Sequence, residues 1–125
     1  MRELIYPELS YKLVGMAYKI DNEIGFGQNE KIYSDVFESL LKDTKLEYNR
    51  ELYCPLKLDD KVIAKRYFDF LVEEKIIIEF KSGTQGYRDA CTQIFQYLKS
   101  SGIKLGLVFR FTKNGVKIKR IPCFN

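Results

Sequence analysis

The chain has 125 residues, of which 46% are hydrophobic and 30% are charged, with 21 basic and 17 acidic side chains and a net charge of +4. This balance predicts one globular domain over residues 1–125 and excludes a largely disordered chain. Histidine is absent from the sequence, which excludes Ser-His-Asp and Cys-His nucleophile systems and Cys2His2 zinc sites. The mild positive charge is compatible with a polyanionic partner.

The cysteines and the N-terminus indicate a reducing compartment. Cys54, Cys91 and Cys123 are odd in number and widely spaced, which supports neither a zinc ribbon nor a disulfide framework. We expect them to be small buried hydrophobic residues. The first residues lack the apolar core of a signal peptide, and no apolar run is long enough to span a membrane. The expected location is therefore cytoplasmic.

Two predicted helices open the chain. Apolar residues recur at helical spacing over residues 8–24, and Gly25-Phe26-Gly27 ends that helix. Asn29 is suited to cap a second helix, which would end at about residue 44.

A predicted sheet follows. Alternating segments predict strands over residues 47–58, 61–72 and 75–81. The turns between them would lie at Asp59-Asp60 and Glu73-Glu74. A helix over residues 88–100 and strands over 104–111 and 116–121 complete the chain. The predicted order is ααβββαββ, an α/β fold with a mixed β-sheet flanked by helices.

Charged residues interrupt the apolar hairpin formed by the second and third strands. Glu79 and Lys81 share one face of their strand, and antiparallel pairing around the Glu73-Glu74 turn brings Asp69 close to Glu79. Opposed carboxylates are destabilising, and a divalent cation such as Mg²⁺ would resolve the conflict. The alternative is a solvated edge hairpin whose charges form ordinary surface pairs.

Two further elements direct polar groups toward the same place. Glu30 heads the apolar stripe of the second helix, although a carboxylate at that position is also favoured by the helix dipole alone. Gln93 and Tyr97 share a face of the third helix, although either one alone is common at the rim of a core.

The chain also carries three short motifs in a fixed order. They are Gly27-Gln28-Asn29-Glu30-Lys31-Ile32-Tyr33, then Asp69 with Glu79-Phe80-Lys81, then Gln93-Ile94-Phe95-Gln96-Tyr97. Through them the chain resembles the GxxExxY family, a group within the PD-(D/E)XK nuclease superfamily, over nearly its whole length. Many relatives have a His where this chain has Ala90, which leaves the expected metal ligands untouched. The resemblance implies a restriction-endonuclease-like core.

The resemblance also implies the role of each site residue. Asp69, Glu79 and the Phe80 carbonyl would bind Mg²⁺ or Mn²⁺, and Glu30 would be an outer or second-metal carboxylate. Lys81 would orient the attacking water and offset charge on the phosphate. The reaction implied is metal-dependent hydrolysis of a phosphodiester in nucleic acid, most often DNA.

Residues of the third helix and the hairpin would hold the substrate. Gln93 would position Lys81 or a phosphate, and Tyr97 would support Gln93 or contact the nucleic-acid backbone. The basic residues available near the site are Lys65, Arg66 and Arg88. Two alternatives remain open at this point, namely a nuclease-fold module that binds nucleic acid or a protein without cutting, and a structural interaction subunit. The short chain makes a homodimer a reasonable expectation.

Overall fold

A computed structural model describes residues 4–124. The helices are α1 (Pro7–Glu23), α2 (Glu30–Lys42) and α3 (Tyr87–Ser101). The strands are β1 (Tyr48–Tyr53), β2 (Leu56–Leu58), β3 (Lys61–Ala64), β4 (Tyr67–Val72), β5 (Ile76–Ser82), β6 (Leu105–Thr112) and β7 (Gly115–Pro122). No helix within residues 4–124 is long and apolar enough to cross a membrane.

Five strands form one mixed sheet in the order β1-β4-β5-β6-β7. Neighbouring strands are antiparallel except β5 and β6, which are parallel and joined by the α3 crossover. Helices α1 and α2 cover one face of the sheet, and α3 covers the other. This arrangement confirms the predicted α/β class with helices on both faces.

Strand β5 lies at the centre of the sheet and is buried on both sides. Ile76, Ile78 and Phe80 pack in the core beneath α1 and α2, whereas Ile77 packs in the core beneath α3. The ring of Phe37 in α2 lies 5.2 Å from that of Phe80, in an edge-to-face contact that anchors α2 to the strand. The site residues at the end of β5 therefore extend from a rigid element.

The predicted element order is wrong in one respect, because the strands predicted over 47–58 and 61–72 are each divided. The first of these strands is interrupted at Cys54 and Pro55, because proline has no amide hydrogen to donate to a neighbouring strand. The Cys54 amide still donates to the Arg66 carbonyl at 2.7 Å, which joins the two pieces of the hairpin. The observed order is ααβββββαββ.

The outer pieces, β2 and β3, form a separate two-stranded arm. Its turn contains Asp59 and Asp60, whose φ angles of 49° and 65° suit a tight hairpin, as the sequence predicted. Leu58 and Ile63 on this arm are 65% and 60% exposed. The arm therefore projects from the sheet and adds nothing to the core.

The three cysteines are free, with Cys54 and Cys123 buried and Cys91 half-buried. The expected burial is therefore found for Cys54 and Cys123 but is only partial for Cys91.

A glycine in β6 lets α3 approach the sheet closely. A Cβ atom at Gly106 would lie 2.4 Å from Ile94 Cγ2, which is a severe clash. We expect Gly106→Ala to lower the free energy of unfolding by about 1–3 kcal/mol, because a packed core cannot absorb the added methyl group without strain. Urea denaturation measures this change.

The matched control is Gly15→Ala in α1, where a Cβ would meet nothing within 4 Å. There the substitution should stabilise the helix by about 0.5–1 kcal/mol. Equal effects of the two substitutions would contradict the close packing of α3 at Gly106.

Candidate active site

The backbone pairing of β4 with β5 ends just before Asp69 and Glu79, the two carboxylates that the sequence predicts to lie close together. The last backbone pair is Phe70 with Ile78. One step beyond it, the Asp69 amide donates to Glu79 Oε1 at 2.7 Å, and the Phe80 amide donates to Asp69 Oδ2 at 2.8 Å. The carboxylates thus replace the ladder bonds at this end, and the structure brings Asp69 and Glu79 together.

The register that produces this meeting is set by the β4–β5 turn. Glu73 and Glu74 both have φ of 55°, and the Lys75 amide donates to the Val72 carbonyl at 2.9 Å. The turn therefore lies where the sequence placed it. A slip of one residue would move Asp69 and Glu79 to opposite faces of the sheet.

Burial dominates the electrostatics of the carboxylate pair. Glu79 is only 9% exposed, and burial, followed by the charge of Asp69, raises its pKa to about 8. Burial also raises the pKa of Asp69 to about 6, against the lowering effect of the hydrogen bond from the Phe80 amide. A second carboxylate beside the first disfavours ionisation of both.

Lys81 and Glu30 lie next to this pair. Glu30 is the first residue of α2, and its Oε2 accepts from the Ser82 amide at 3.3 Å. Its Oε1 lies 3.7 Å from Lys81 Nζ, and the lysine side chain is 21% exposed. The amine is therefore held by a carboxylate from α2 while remaining accessible to solvent.

The loop before α2 is tied down by a buried tyrosine. The Tyr33 hydroxyl donates to the Gly25 carbonyl at 2.7 Å and accepts from the Gln28 amide at 3.2 Å. Its ring stacks on Phe111, with centroids 3.9 Å apart. Sequence analysis named Tyr33 as the last residue of the first motif but gave it no role, and the structure shows that it fixes the loop that leads into Glu30.

We expect Tyr33→Phe to lower the free energy of unfolding by about 1–2 kcal/mol. The ring contact with Phe111 is retained, but two loop hydrogen bonds at a part-buried site are lost. Thermal or urea unfolding reports the change. Tyr11→Phe, at a side chain that is 82% exposed, is the control and should shift stability by less than about 0.5 kcal/mol. An unchanged Tyr33→Phe would show that the hydroxyl does not secure the loop.

Gln93 and Tyr97 line a cavity of about 60 Å³ that neither Asp69 nor Glu79 lines. Cys54 and Phe68 line it with them. The Tyr97 hydroxyl hydrogen-bonds the Cys54 thiol, and burial raises the pKa of Tyr97 to about 12. Within residues 4–124 no hydrogen bond joins Gln93 to Lys81. The predicted positioning of Lys81 by Gln93 stays a prediction.

The basic residues singled out from the sequence are dispersed. Lys65 is exposed at the junction of β3 and β4, and Arg88 is exposed in the first turn of α3. Arg66 donates from Nη1 to Gln96 Oε1 at 2.9 Å. Arg110, which sequence reasoning missed, lies on β6 opposite Lys81 in the parallel register. A charged residue within an apolar strand was the signal that could have found it.

The sequence profile of the PD-(D/E)XK nuclease superfamily matches residues 7–121 of this chain. The chain belongs to that superfamily. A search of curated proteins finds no match. A solved structure titled "Crystal structure of SSO0001" is similar in fold, with a TM-score of 0.55 and 21% sequence identity over 94% of this chain. The similarity spans 57% of that structure's chain, so this chain corresponds to little more than half of it.

The superfamily's name describes an acidic residue followed by Asp or Glu, any residue and Lys, and Asp69 with Glu79-Phe80-Lys81 supplies that pattern on adjacent strands. Residues 4–124 contain no group of three or more His, Cys, Asp or Glu side chains arranged to hold a metal ion. Glu30 is bonded to Lys81 and Ser82 and does not make such a group with Asp69 and Glu79. The candidate metal ligands are thus two carboxylates and the Phe80 carbonyl.

The donor chemistry of the pair fits a divalent cation. Burial raises both pKa values, with the charge of Asp69 adding to the shift of Glu79 and the charge of Glu30 to that of Asp69. A cation would offset the charge of the two carboxylates. Mg²⁺ is commonly bound through one or two carboxylates, with water completing its shell. The residues present are compatible with Mg²⁺ or Mn²⁺.

Proposed function

We propose that this protein is a metal-dependent nuclease of the GxxExxY type that hydrolyses phosphodiester bonds in DNA. One observation carries the proposal, namely the buried meeting of Asp69 and Glu79 next to the accessible amine of Lys81. Opposed buried carboxylates destabilise a fold. Their presence at the end of the central strand is more readily explained by a ligand than by packing.

The metal would be Mg²⁺ or Mn²⁺, held by Asp69, Glu79 and the Phe80 carbonyl. When bound, it would supply Lewis-acid stabilisation of the charge that develops on the scissile phosphate. The superfamily membership supports this assignment.

Lys81 would orient the attacking water and balance negative charge on the phosphate. Its amine is placed for this by the carboxylate of Glu30, whose Oε1 lies 3.7 Å from Nζ. We therefore assign Glu30 to positioning the lysine, in place of the outer or second-metal carboxylate role that the resemblance implied. An accessible ammonium group is suited to contact a phosphate oxygen.

Binding of the substrate would depend on charge and would not read sequence. Lys65, Arg66 and Arg88 are candidates for phosphate contacts, and Tyr97 for a contact with the backbone. The single-domain organisation, a homodimer and a cytoplasmic location all stay predictions.

The alternative function is a nuclease-fold module that binds nucleic acid without cutting it. The observation that would favour it is the hydrogen bonding of both carboxylates to backbone amides, which lets them act as structural replacements for ladder bonds. A purely structural role predicts that no divalent ion binds at the pair.

A cleavage assay separates these functions. Purified protein is incubated with labelled single-stranded, double-stranded and branched DNA, and with RNA of the same sequence, in Mg²⁺, Mn²⁺ or EDTA. We expect metal-dependent cleavage of DNA by the wild type and none by Asp69→Asn, which keeps the side-chain volume and an oxygen to accept from Phe80. Binding without cleavage in every metal would establish the alternative.

A further inference from the structure

A cleft beside the carboxylate pair has no role in the function proposed above. It measures about 430 Å³ and lies at the N-terminus of α3, bounded by Thr84, Gly86, Tyr87, Arg88, Asp89 and Arg110. Two of the six lining side chains are arginines. The cleft therefore combines positive charge with the positive end of a helix dipole, although the first helical amide, that of Tyr87, already donates to the Thr84 carbonyl at 3.2 Å.

Arg110 is the feature of this cleft that points to a ligand. Its Nε is buried and has no hydrogen-bond partner within residues 4–124. The guanidinium lies 4.6 Å from the centre of the Tyr87 ring, a cation–π contact that fixes its plane without satisfying the donor. The Nε is closed off from solvent, so an oxyanion in the cleft would accept from the terminal guanidinium nitrogens, Nη1 and Nη2.

The cleft adjoins the proposed catalytic lysine. Lys81 and Arg110 are partners in the parallel β5–β6 register, so their side chains emerge side by side on the same face of the sheet. Gly86, which borders the cleft, lies against Lys81, because a Cβ there would be 3.6 Å from Lys81 Nζ. A ligand in the cleft would thus be next to any phosphate held at Lys81.

The charge of the surroundings favours a phosphate over a carboxylate ligand. Arg88 and Arg110 provide two guanidinium groups, and arginine pairs well with phosphate oxygens in two-point contacts. Asp89, in the first turn of α3, is the carboxylate that lines the cleft. A doubly or singly charged phosphate can use both arginines and the helix amides while Asp89 stays at the solvent edge, where it is exposed.

We propose that Arg110, with Arg88 and the first turn of α3, forms a binding site for the substrate phosphate next to the one that is cleaved. The inference rests on the proposed nuclease function for the identity of the polyanion. The phosphate is either an internal diester or a terminal 5′-phosphate. A phosphate bound at this site would fix its distance from the phosphodiester bond that is cleaved at Lys81.

Binding measured without catalysis tests the site. Fluorescence anisotropy in EDTA compares one oligodeoxynucleotide carrying a 5′-phosphate with the same strand carrying a 5′-hydroxyl. The variants are Arg110→Ala, Arg110→Lys and Arg88→Ala. The control is Lys12→Ala, which removes one positive charge from an exposed position on α1, across the sheet from α3.

We expect Arg110→Ala to weaken binding about tenfold or more, because a charged hydrogen bond is lost. The slope of log affinity against log salt should fall by about 0.7 as one single-strand phosphate contact disappears. Arg110→Lys should retain the salt slope and lose part of the affinity. Arg88→Ala should weaken binding less, and Lys12→Ala should leave it unchanged.

A comparison of the two oligodeoxynucleotides shows which phosphate occupies the site. Loss confined to the 5′-phosphorylated strand identifies a terminal phosphate, whereas equal loss on both strands identifies an internal one. Wild-type affinity and salt slope in Arg110→Ala would overturn the proposal, as would a wild type that binds neither strand. If Arg110→Ala does not fold by circular dichroism, wild-type affinity in both Arg110→Lys and Arg88→Ala would overturn it.

The outcome is separable from that of the proposed function. Arg110-dependent binding by a protein that cuts nothing would retain the phosphate site and refute the nuclease. Cleavage that needs Asp69 but not Arg110 would support the nuclease and refute the phosphate site.

Discussion

Lys81→Met is expected to reduce the rate of DNA cleavage at least about a hundredfold while leaving the fold intact. The lysine amine is the accessible cation at the carboxylate pair, held 3.7 Å from Glu30. Removing one preorganised charged donor from the reacting phosphate costs about two to three orders of magnitude in related cases. Methionine preserves the length and most of the volume of the side chain. Single-turnover cleavage of labelled DNA in Mg²⁺ measures the loss.

The matched control is Lys12→Met, at an exposed position on α1. It should cut at the wild-type rate, which shows that a single change in net charge is not responsible. Glu30→Gln should have an intermediate effect, because it releases Lys81 without removing it. If Lys81→Met cuts as fast as the wild type, the proposed site is incorrect.

Glu79→Gln is expected to stabilise the metal-free protein at pH 8 by about 1–3 kcal/mol. Burial and the charge of Asp69 raise the pKa of Glu79 from 4.5 to about 8. Between those two values the folded protein holds a proton that the unfolded chain has released. Stability of the wild type in EDTA therefore falls as pH rises from about 5 to 8. Glutamine carries no charge and can still accept from the Asp69 amide.

Urea denaturation in EDTA across this pH range provides the measurement. The wild type should lose stability with rising pH, and Glu79→Gln should show a much flatter profile. Mg²⁺ at pH 8 should restore stability to the wild type, because a ligand that binds only the folded state shifts the equilibrium toward it. Glu8→Gln, on the exposed surface of α1, should behave as the wild type. A wild-type profile that is flat or rises with pH would contradict the description of the carboxylate pair.

The core of the candidate site was predictable because it depends on one local hairpin. The turn at Glu73 and Glu74 fixes the pairing of β4 with β5, and strand alternation does the rest. Asp69 and Glu79 could be recognised as candidate site residues because they are charged residues in an otherwise apolar hairpin. The α/β class followed from the spacing of apolar residues, which reports on each element separately.

The features that escaped prediction depend on contacts between distant parts of the chain. The position of Arg110 near the site depends on the parallel pairing of β6 with β5, which places it beside Lys81. The hydroxyl of Tyr33 matters because the loop at Gly25 folds back over it. The division of the long predicted strands was signalled by Pro55, whose missing amide should have ended the first of them. The metal-binding and substrate roles of the site residues stay predictions.

Where the β4–β5 pairing ends, two backbone amides donate to carboxylates and not to the backbone of a neighbouring strand. These two amides can therefore report on metal binding. The amides of Asp69 and Phe80 donate to Glu79 Oε1 and Asp69 Oδ2, and a cation held by the two carboxylates would draw electron density from both. Occupancy would weaken these bonds and move the two amide resonances in a nitrogen–proton correlation spectrum. A titration followed at those signals would count bound ions in a sample that contains no nucleic acid.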